Sequence, residues 1–159
     1  MLSGEINWDA VGSISEALGA MGVILTLLYL IRQIKQNTAA TRSTAAAAYS
    51  QASMELAKVL SSDLETNAQF YQYLDEPGKL GPNERRRAQA IVSMYLHVME
   101  QACDLYSEGS LTDQKWGSRY KQLLWIANRP GFTDYWEEFG GVYADTFTNY
   151  VNQAIKDGR

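Results

Sequence analysis

The pattern of apolar and polar residues divides the chain into an apolar run near its start and a longer amphipathic remainder. Residues 10–31 read AVGSISEALGAMGVILTLLYLI, and residues 17–31 within them carry no charged side chain. At about 1.5 Å per residue, a helix over this run is roughly 33 Å long, close to the ~30 Å thickness of a bilayer's hydrocarbon core. The pattern therefore predicts a transmembrane helix over residues 10–31, preceded by a short exposed lead of residues 1–9.

The residues at the two ends of this run fit a membrane boundary. Trp8 precedes the run, and an indole ring is favoured at the membrane–water interface. Arg32 and Lys35 follow the run, whereas the charged residues before it are acidic. Because basic residues are retained on the cytoplasmic side, the sequence predicts an outside N-terminus and a cytoplasmic helical domain of residues 32–159.

Small residues within the run recur at spacings of three and four, which places them on one face of a helix. This small-residue stripe consists of Gly12, Ser15, Gly19, Gly22 and Thr26. Because small residues let helix backbones approach closely in lipid, the stripe predicts a homo-oligomer. Glu16 lies beside the stripe and would form a ring of carboxylates in such an oligomer. A small homo-oligomeric ion channel lined by the stripe is therefore an alternative.

Other interpretations of the apolar run remain open. A soluble helical bundle could bury residues 17–31 in its own core or in a dimer interface, because the charge-free part is short for a membrane span. A cleaved signal peptide normally has basic residues before its apolar core, and here those residues are acidic. An interfacial helix would need a basic polar face, which residues 10–31 lack.

The helical pattern continues beyond the apolar run. Residues 32–60 contain neither Gly nor Pro and are rich in strong helix formers, so one long helix is predicted from about Asp9 to Ser61. The predicted fold is all-α, with this long N-terminal helix packed with a small helical bundle.

Apolar residues at helical spacing predict four further helices, over residues 64–74, 83–107, 113–128 and 134–156. Residues suited to N-capping precede them: Ser62 or Asp63, Asn83, Thr112 and Thr133. The last helix is predicted to turn a broad, mostly aromatic stripe toward the core, and Val142 is one of the aliphatic residues in this stripe. Gly140-Gly141 could break or kink that helix, and the sequence leaves open whether the pair is a hinge.

Three consecutive arginines, Arg85, Arg86 and Arg87, lie in the first turn of the predicted third helix. The helix dipole disfavours cations at this end, so a solvated face is the simplest interpretation. Contact with anionic lipid headgroups or with an acidic partner is the functional alternative.

Composition and motifs argue against catalysis. The net charge of −4 and the pI of about 5.0 disfavour nucleic acid as a partner. Cys103 is the only cysteine and His97 the only histidine, and no nucleotide-binding or nucleophile motif is present. His97, Glu100 and Asp104 share a helix side, but metal binding would need ligands from a second helix. We therefore expect no enzyme activity, no cofactor and no metal.

Two segments near the N-terminus resemble the start of a large family of short, uncharacterised bacterial proteins, many of them marine or metagenomic. The segments are WDAVGSISEALGA at 8–20 and TLLYLIRQIKQNT at 26–38, followed by Arg42. The shared pattern is a Trp, Gly-x-x-x-Glu, Tyr-Leu and Gln-Ile-basic-Gln-Asn-Thr, and residues 136–151 are similar in character. The resemblance implies a membrane-anchored helical protein and carries no activity or site.

These patterns together predict a single-pass protein of the bacterial inner membrane that associates with itself. Its expected partners are the lipid bilayer, further copies of the chain and, in one version, another membrane protein. Its expected role is structural or regulatory, as a scaffold or as a subunit.

Overall fold

The computed structural model describes residues 7–158, apart from the side chain at position 10. Within those residues the chain forms six α-helices and no strand, which confirms the all-α prediction. The helices are α1 (Trp8–Ser62), α2 (Leu64–Asp75), α3 (Pro82–Ser107), α4 (Asp113–Ala127), α5 (Pro130–Phe139) and α6 (Asp145–Asp157). The predicted lead of residues 1–9 lies mostly outside the described residues, and α1 has already begun at Trp8.

The chain divides into two compact units, and α1 contributes to both. The first unit ends at Ser43 and, as far as it is described, consists almost entirely of the first part of α1. The second unit begins at Thr44 and contains the rest of α1 together with α2–α6.

The last turns of α1 pack against the helical bundle of the second unit. Tyr49 and Leu56 of α1 are buried in its core, and Ala45, Val59 and Leu60 are partly buried against it. The spacing of these residues puts one narrow face of α1 inward. Tyr49 is the largest of these side chains, so it contributes most of the buried surface of this face.

Two helix starts follow the predicted capping chemistry. The Asp63 carboxylate accepts hydrogen bonds from the backbone N–H of Glu65 (3.1 Å) and of Thr66 (2.9 Å), so it caps α2. The Thr112 hydroxyl caps α4 by accepting the Lys115 N–H at 3.4 Å. Both caps were predicted, and both satisfy donors that a helix leaves unpaired at its first turn.

The predicted cap of α3 is wrong, because the helix begins one residue earlier at Pro82. Proline suits a first helical position, since its missing N–H would have no partner there. Gly81 is the N-cap residue, and its N–H donates to Glu84 Oε2 at 2.8 Å. At the other end Gly109 has a φ of +69°, a conformation that glycine adopts readily and that ends the helix.

The predicted single last helix is also wrong, because the chain forms α5 and α6 instead. Thr133 lies inside α5, which starts at Pro130 with Arg129 as its N-cap residue. A 3₁₀ turn over Gly140–Val142 separates the two helices, so the alternative that the glycine pair breaks the helix is confirmed. Val142, predicted to face the core, is 75% exposed because it lies on this turn.

The core of the second unit is aromatic at its α5–α6 end. The rings of Trp136 and Tyr143 stack at 5.5 Å between centroids, and the Tyr135 and Tyr143 hydroxyl oxygens are 3.3 Å apart. Burial raises the pKa of Tyr143 above its ordinary value. Glu100 of α3 accepts the Ala144 N–H at 2.8 Å, which ties the start of α6 to α3.

Candidate functional site

The small-residue stripe lies entirely on α1, and every one of its residues is exposed. At 3.6 residues per turn its five members fall within an arc of about 80° of the helix surface. A methyl group built on Gly12, Gly19 or Gly22 would meet no atom of the described residues within 4 Å, the nearby backbone of its own helix apart. The space beside each glycine is therefore open, and Glu16 lies exposed at the edge of the stripe.

The two hydroxyl groups of the stripe are satisfied within their own helix. Ser15 donates to the Val11 carbonyl oxygen at 2.9 Å, and Thr26 donates to the Gly22 carbonyl oxygen at 2.8 Å. A hydroxyl bonded in this way does not need water as an acceptor, so it can face an apolar environment at little cost.

The large apolar side chains between residues 17 and 31 are exposed around the whole circumference of α1. Their exposed fractions run from 44% to 67%. An 18-residue window of this helix has a mean hydropathy of 2.0, and none of that window is buried. α1 is thus long and apolar enough to cross a membrane, and its apolar residues between 17 and 31 are not buried among the described residues.

The predicted interface anchors bracket the apolar residues. Trp8 begins α1, and Arg32 and Lys35 follow the apolar run on the same helix. All three side chains are exposed. Trp8 and Arg32 are roughly 36 Å apart along a helix, slightly more than the hydrocarbon thickness of a bilayer.

The three consecutive arginines have different surroundings. Arg85 is half-buried and lies 3.8 Å from Asp134 of α5. Arg87 lines a small depression together with Glu65 and Glu84, whereas Arg86 is exposed. Acidic groups therefore neighbour two of the three, and the predicted lipid or partner contact stays a prediction.

His97 and Cys103 of α3 have their contacts within the protein's own fold. His97 Nδ1 lies 2.8 Å from the Ser93 carbonyl oxygen of its own helix, and its ring is 5.3 Å from that of Tyr143. Cys103 is buried, and burial raises the pKa of its thiol to about 11. In the described part of the chain, no three His, Cys, Asp or Glu side chains are grouped so that they could hold a metal ion.

A polar groove in the second unit was not predicted from the sequence. It has a volume of about 660 Å³ and lies between the last turns of α1, the loop after α3, and α4. Lys115 and Arg119 of α4 line it, and Tyr49 of α1 forms part of its wall. The spacing of the two cations, one helical turn apart, was visible in the sequence. That α1 would complete the wall was not, because it depends on how the helices pack.

An exposed aromatic pair was also missed. Trp125 of α4 and Tyr71 of α2 have ring centroids 6.3 Å apart, and both are partly exposed. The Arg129 guanidinium lies 4.3 Å over the Trp125 ring and forms an ion pair with Asp75.

Comparison of the sequence with protein-family models finds no match, and comparisons with curated proteins and with solved structures find none either. The resemblance of residues 8–20 and 26–38 to short bacterial proteins stays a prediction.

Proposed function

We propose that the protein is a single-pass membrane protein whose helix α1 crosses a bacterial inner membrane. The helical domain that follows residue 31 lies on the cytoplasmic side. Copies associate through the small-residue stripe, and the assembly has a structural or regulatory role, as a scaffold or as a subunit beside another membrane protein.

The exposure of the apolar residues between 17 and 31 carries this proposal. Each large apolar side chain left in water forgoes roughly 1.5–3 kcal/mol of burial free energy. Contiguous exposed apolar surface on this scale is rare on soluble monomers. Lipid would cover the whole circumference of the helix, whereas one partner helix would cover only one face.

Self-association through the stripe is supported by its geometry. Each of the three glycines leaves its own stretch of backbone without a side chain, and within the described residues nothing fills the space beside it. Association in lipid relies on close packing, because lipid tails already satisfy apolar side chains. A second copy of the same stripe would supply that close contact.

Membrane insertion is tested with two matched arginine substitutions on α1. Met21 lies near the middle of the apolar run and is 59% exposed, whereas Met54 lies in the second unit and is 65% exposed. An arginine at the centre of a spanning helix costs about 2.5–3.5 kcal/mol on insertion scales. Met21→Arg should therefore strongly reduce the fraction of protein retained in alkali-washed membranes, and Met54→Arg should leave it unchanged.

Equal retention of Met21→Arg and the unmodified protein would contradict the spanning helix. If the unmodified protein instead purifies without detergent as a stable dimer, residues 17–31 form a dimer interface in a soluble bundle. That outcome would replace the membrane proposal.

Self-association is tested by enlarging one small residue on each side of the helix. Gly19 lies on the stripe, and Ala17 lies about 180° away from its centre at 3.6 residues per turn. Gly19→Leu should sharply lower the yield of crosslinked oligomer in mild detergent, while Ala17→Leu should not. Loss of crosslinking in both variants, or in neither, would argue against the stripe as the contact face.

Orientation is tested with intact cells whose outer membrane has been removed. Added protease should leave residues 44–158 intact until the inner membrane is permeabilised. Digestion of this domain in sealed cells would reverse the proposed orientation.

A further inference from the structure

We propose that the polar groove of the second unit binds a small phosphate-bearing anion through Lys115 and Arg119. The groove is independent of the apolar part of α1, since all its walls come from residues between 46 and 122. Its volume of about 660 Å³ falls within the range of pockets that hold small molecules.

The electrostatics of the groove favour an anion. Lys115 and Arg119 both line it, and among the described residues no Asp or Glu does. Arg119 is held by a neutral partner, because its Nη1 donates to Gln122 Oε1 at 3.1 Å. Its guanidinium also lies 5.5 Å over the Tyr49 ring. The charge of Arg119 is therefore positioned by neutral groups and stays available to a ligand.

The number and kind of polar groups favour phosphate over a monocarboxylate. Two cations match a doubly charged phosphoryl group, and arginine presents paired N–H donors that suit phosphate oxygens. Further side chains with N–H or O–H donors line the same groove: Ser50, Gln114, Ser118 and Gln122.

Buried hydroxyl groups provide a second, independent observation. Tyr49 is 92% buried, and within the described residues its hydroxyl has no hydrogen-bond partner. Ser110 also lines the groove, and within the described residues its buried hydroxyl has no hydrogen-bond partner either. Buried polar groups are nearly always paired. Because the Arg119 guanidinium lies over the Tyr49 ring, a shift of this group toward a bound anion would open the groove wall beside these hydroxyls.

The test uses the full chain in a non-ionic detergent, with pyrophosphate and inorganic phosphate as probes. Binding is followed by calorimetry and by the NMR signal of the Arg119 side-chain N–H. We expect saturable binding that shifts this signal. Lys115→Gln and Arg119→Gln should each weaken binding by about ten-fold or more, the usual effect of losing a charge-assisted hydrogen bond.

Two further variants make the result specific. Lys121 is an exposed cation on the same helix that does not line the groove, so Lys121→Gln removes the same charge and should change affinity less than two-fold. Tyr49→Phe removes a hydroxyl that makes no bond within the described residues, so the protein should fold normally and bind the probes more weakly. Absence of saturable binding, or an equal loss in Lys121→Gln, would overturn the proposal.

The source of the phosphate is distinguished by a second arm with reconstituted protein. If the ligand is a lipid headgroup, the Arg119 signal should shift in phosphatidylglycerol bilayers and not in phosphatidylcholine bilayers. If the ligand is a soluble phosphorylated molecule, the signal should shift only on addition of pyrophosphate. A signal that responds to neither would count against the groove as a phosphate site.

Discussion

Leucine has opposite environments in the two units of this protein. Leu25, in the first unit, is 67% exposed, whereas Leu96, in the second, is fully buried. Both lie on α-helices, and both are surrounded in sequence by other apolar residues. The difference comes from periodicity. The apolar residues of α3 recur on one side of the helix and meet other helices, whereas those between 17 and 31 point in every direction.

The comparison shows that one continuous helix can carry two kinds of surface. The second half of α1 presents a narrow inward face built on Tyr49 and Leu56. Its first half presents apolar residues all round and small residues on one stripe. A helix that is apolar on every side is typical of a membrane span or of the centre of a large core.

The largest difference between the two units is expected when a large apolar side chain is truncated to alanine in each of them. Phe147 of α6 is fully buried, so Phe147→Ala should lower the free energy of unfolding of the second unit by about 3–5 kcal/mol. Leu25→Ala should leave that free energy unchanged, because the Leu25 side chain is exposed. Denaturant unfolding in detergent, followed by tryptophan fluorescence, measures both values. A large loss in Leu25→Ala would mean that residues 17–31 do support the bundle.

A smaller difference in stability is expected between a closely packed glycine and one that has open space around it. Gly131 of α5 lies against the Tyr73–Leu74 backbone, and an added methyl group would overlap the Tyr73 carbonyl. Gly131→Ala should therefore lower the free energy of unfolding by about 1–3 kcal/mol. Gly117 of α4 has open space around it, so Gly117→Ala should raise that free energy by up to about 1 kcal/mol through helix propensity. Equal effects at the two positions would contradict the close packing of α5 on α2.

Alkaline pH should weaken the second unit through its buried tyrosines. Burial raises the pKa of Tyr73, Tyr95 and Tyr143 above the ordinary value of about 10. The unfolded chain therefore ionises first, so the stability from these groups is complete below about pH 10 and is lost as pH rises above it. Tyrosinate absorbance and circular dichroism should change together. Ionisation of all tyrosines without loss of tertiary signal would contradict their burial.

The smallest effect is expected at the exposed start of α2. Hydrogen bonds from the Thr66 hydroxyl and from the Thr66 and Glu65 N–H groups lower the pKa of Asp63. Its contribution is present above about pH 3.8 and disappears as pH falls through the lowered folded-state pKa. Asp63→Ala should slightly lower the melting temperature at neutral pH and have no effect in strong acid. A pH-independent difference would show that the carboxylate charge is not the capping group.

The helices were predictable because their apolar residues recur at helical spacing and their caps are local. Asp63 and Thr112 act on donors two or three residues away, so sequence alone was enough to identify them. The boundary at α5 was missed because Pro130 begins a helix as readily as it ends one. The close approach of Gly131, the second residue of α5, to α2 involves residues far apart in the chain, so sequence patterns do not indicate it.

The candidate sites were predictable to different degrees. The apolar run and the small-residue stripe are properties of one helix, so spacing alone located them. The polar groove needs Tyr49 of α1 beside Lys115 and Arg119 of α4, and only packing brings them together. Local patterns therefore located the apolar segment and missed the polar groove.

Extraction of membranes from cells that express the unmodified protein tests the central claim most directly. The membranes are washed with alkaline carbonate and then treated with detergent. The wash releases proteins that are held only at the membrane surface, whereas an apolar helix that spans the hydrocarbon core stays in the lipid. The account predicts protein in the pellet until detergent is added. Protein that remains in the soluble fraction, or is released by the wash, would contradict a spanning helix.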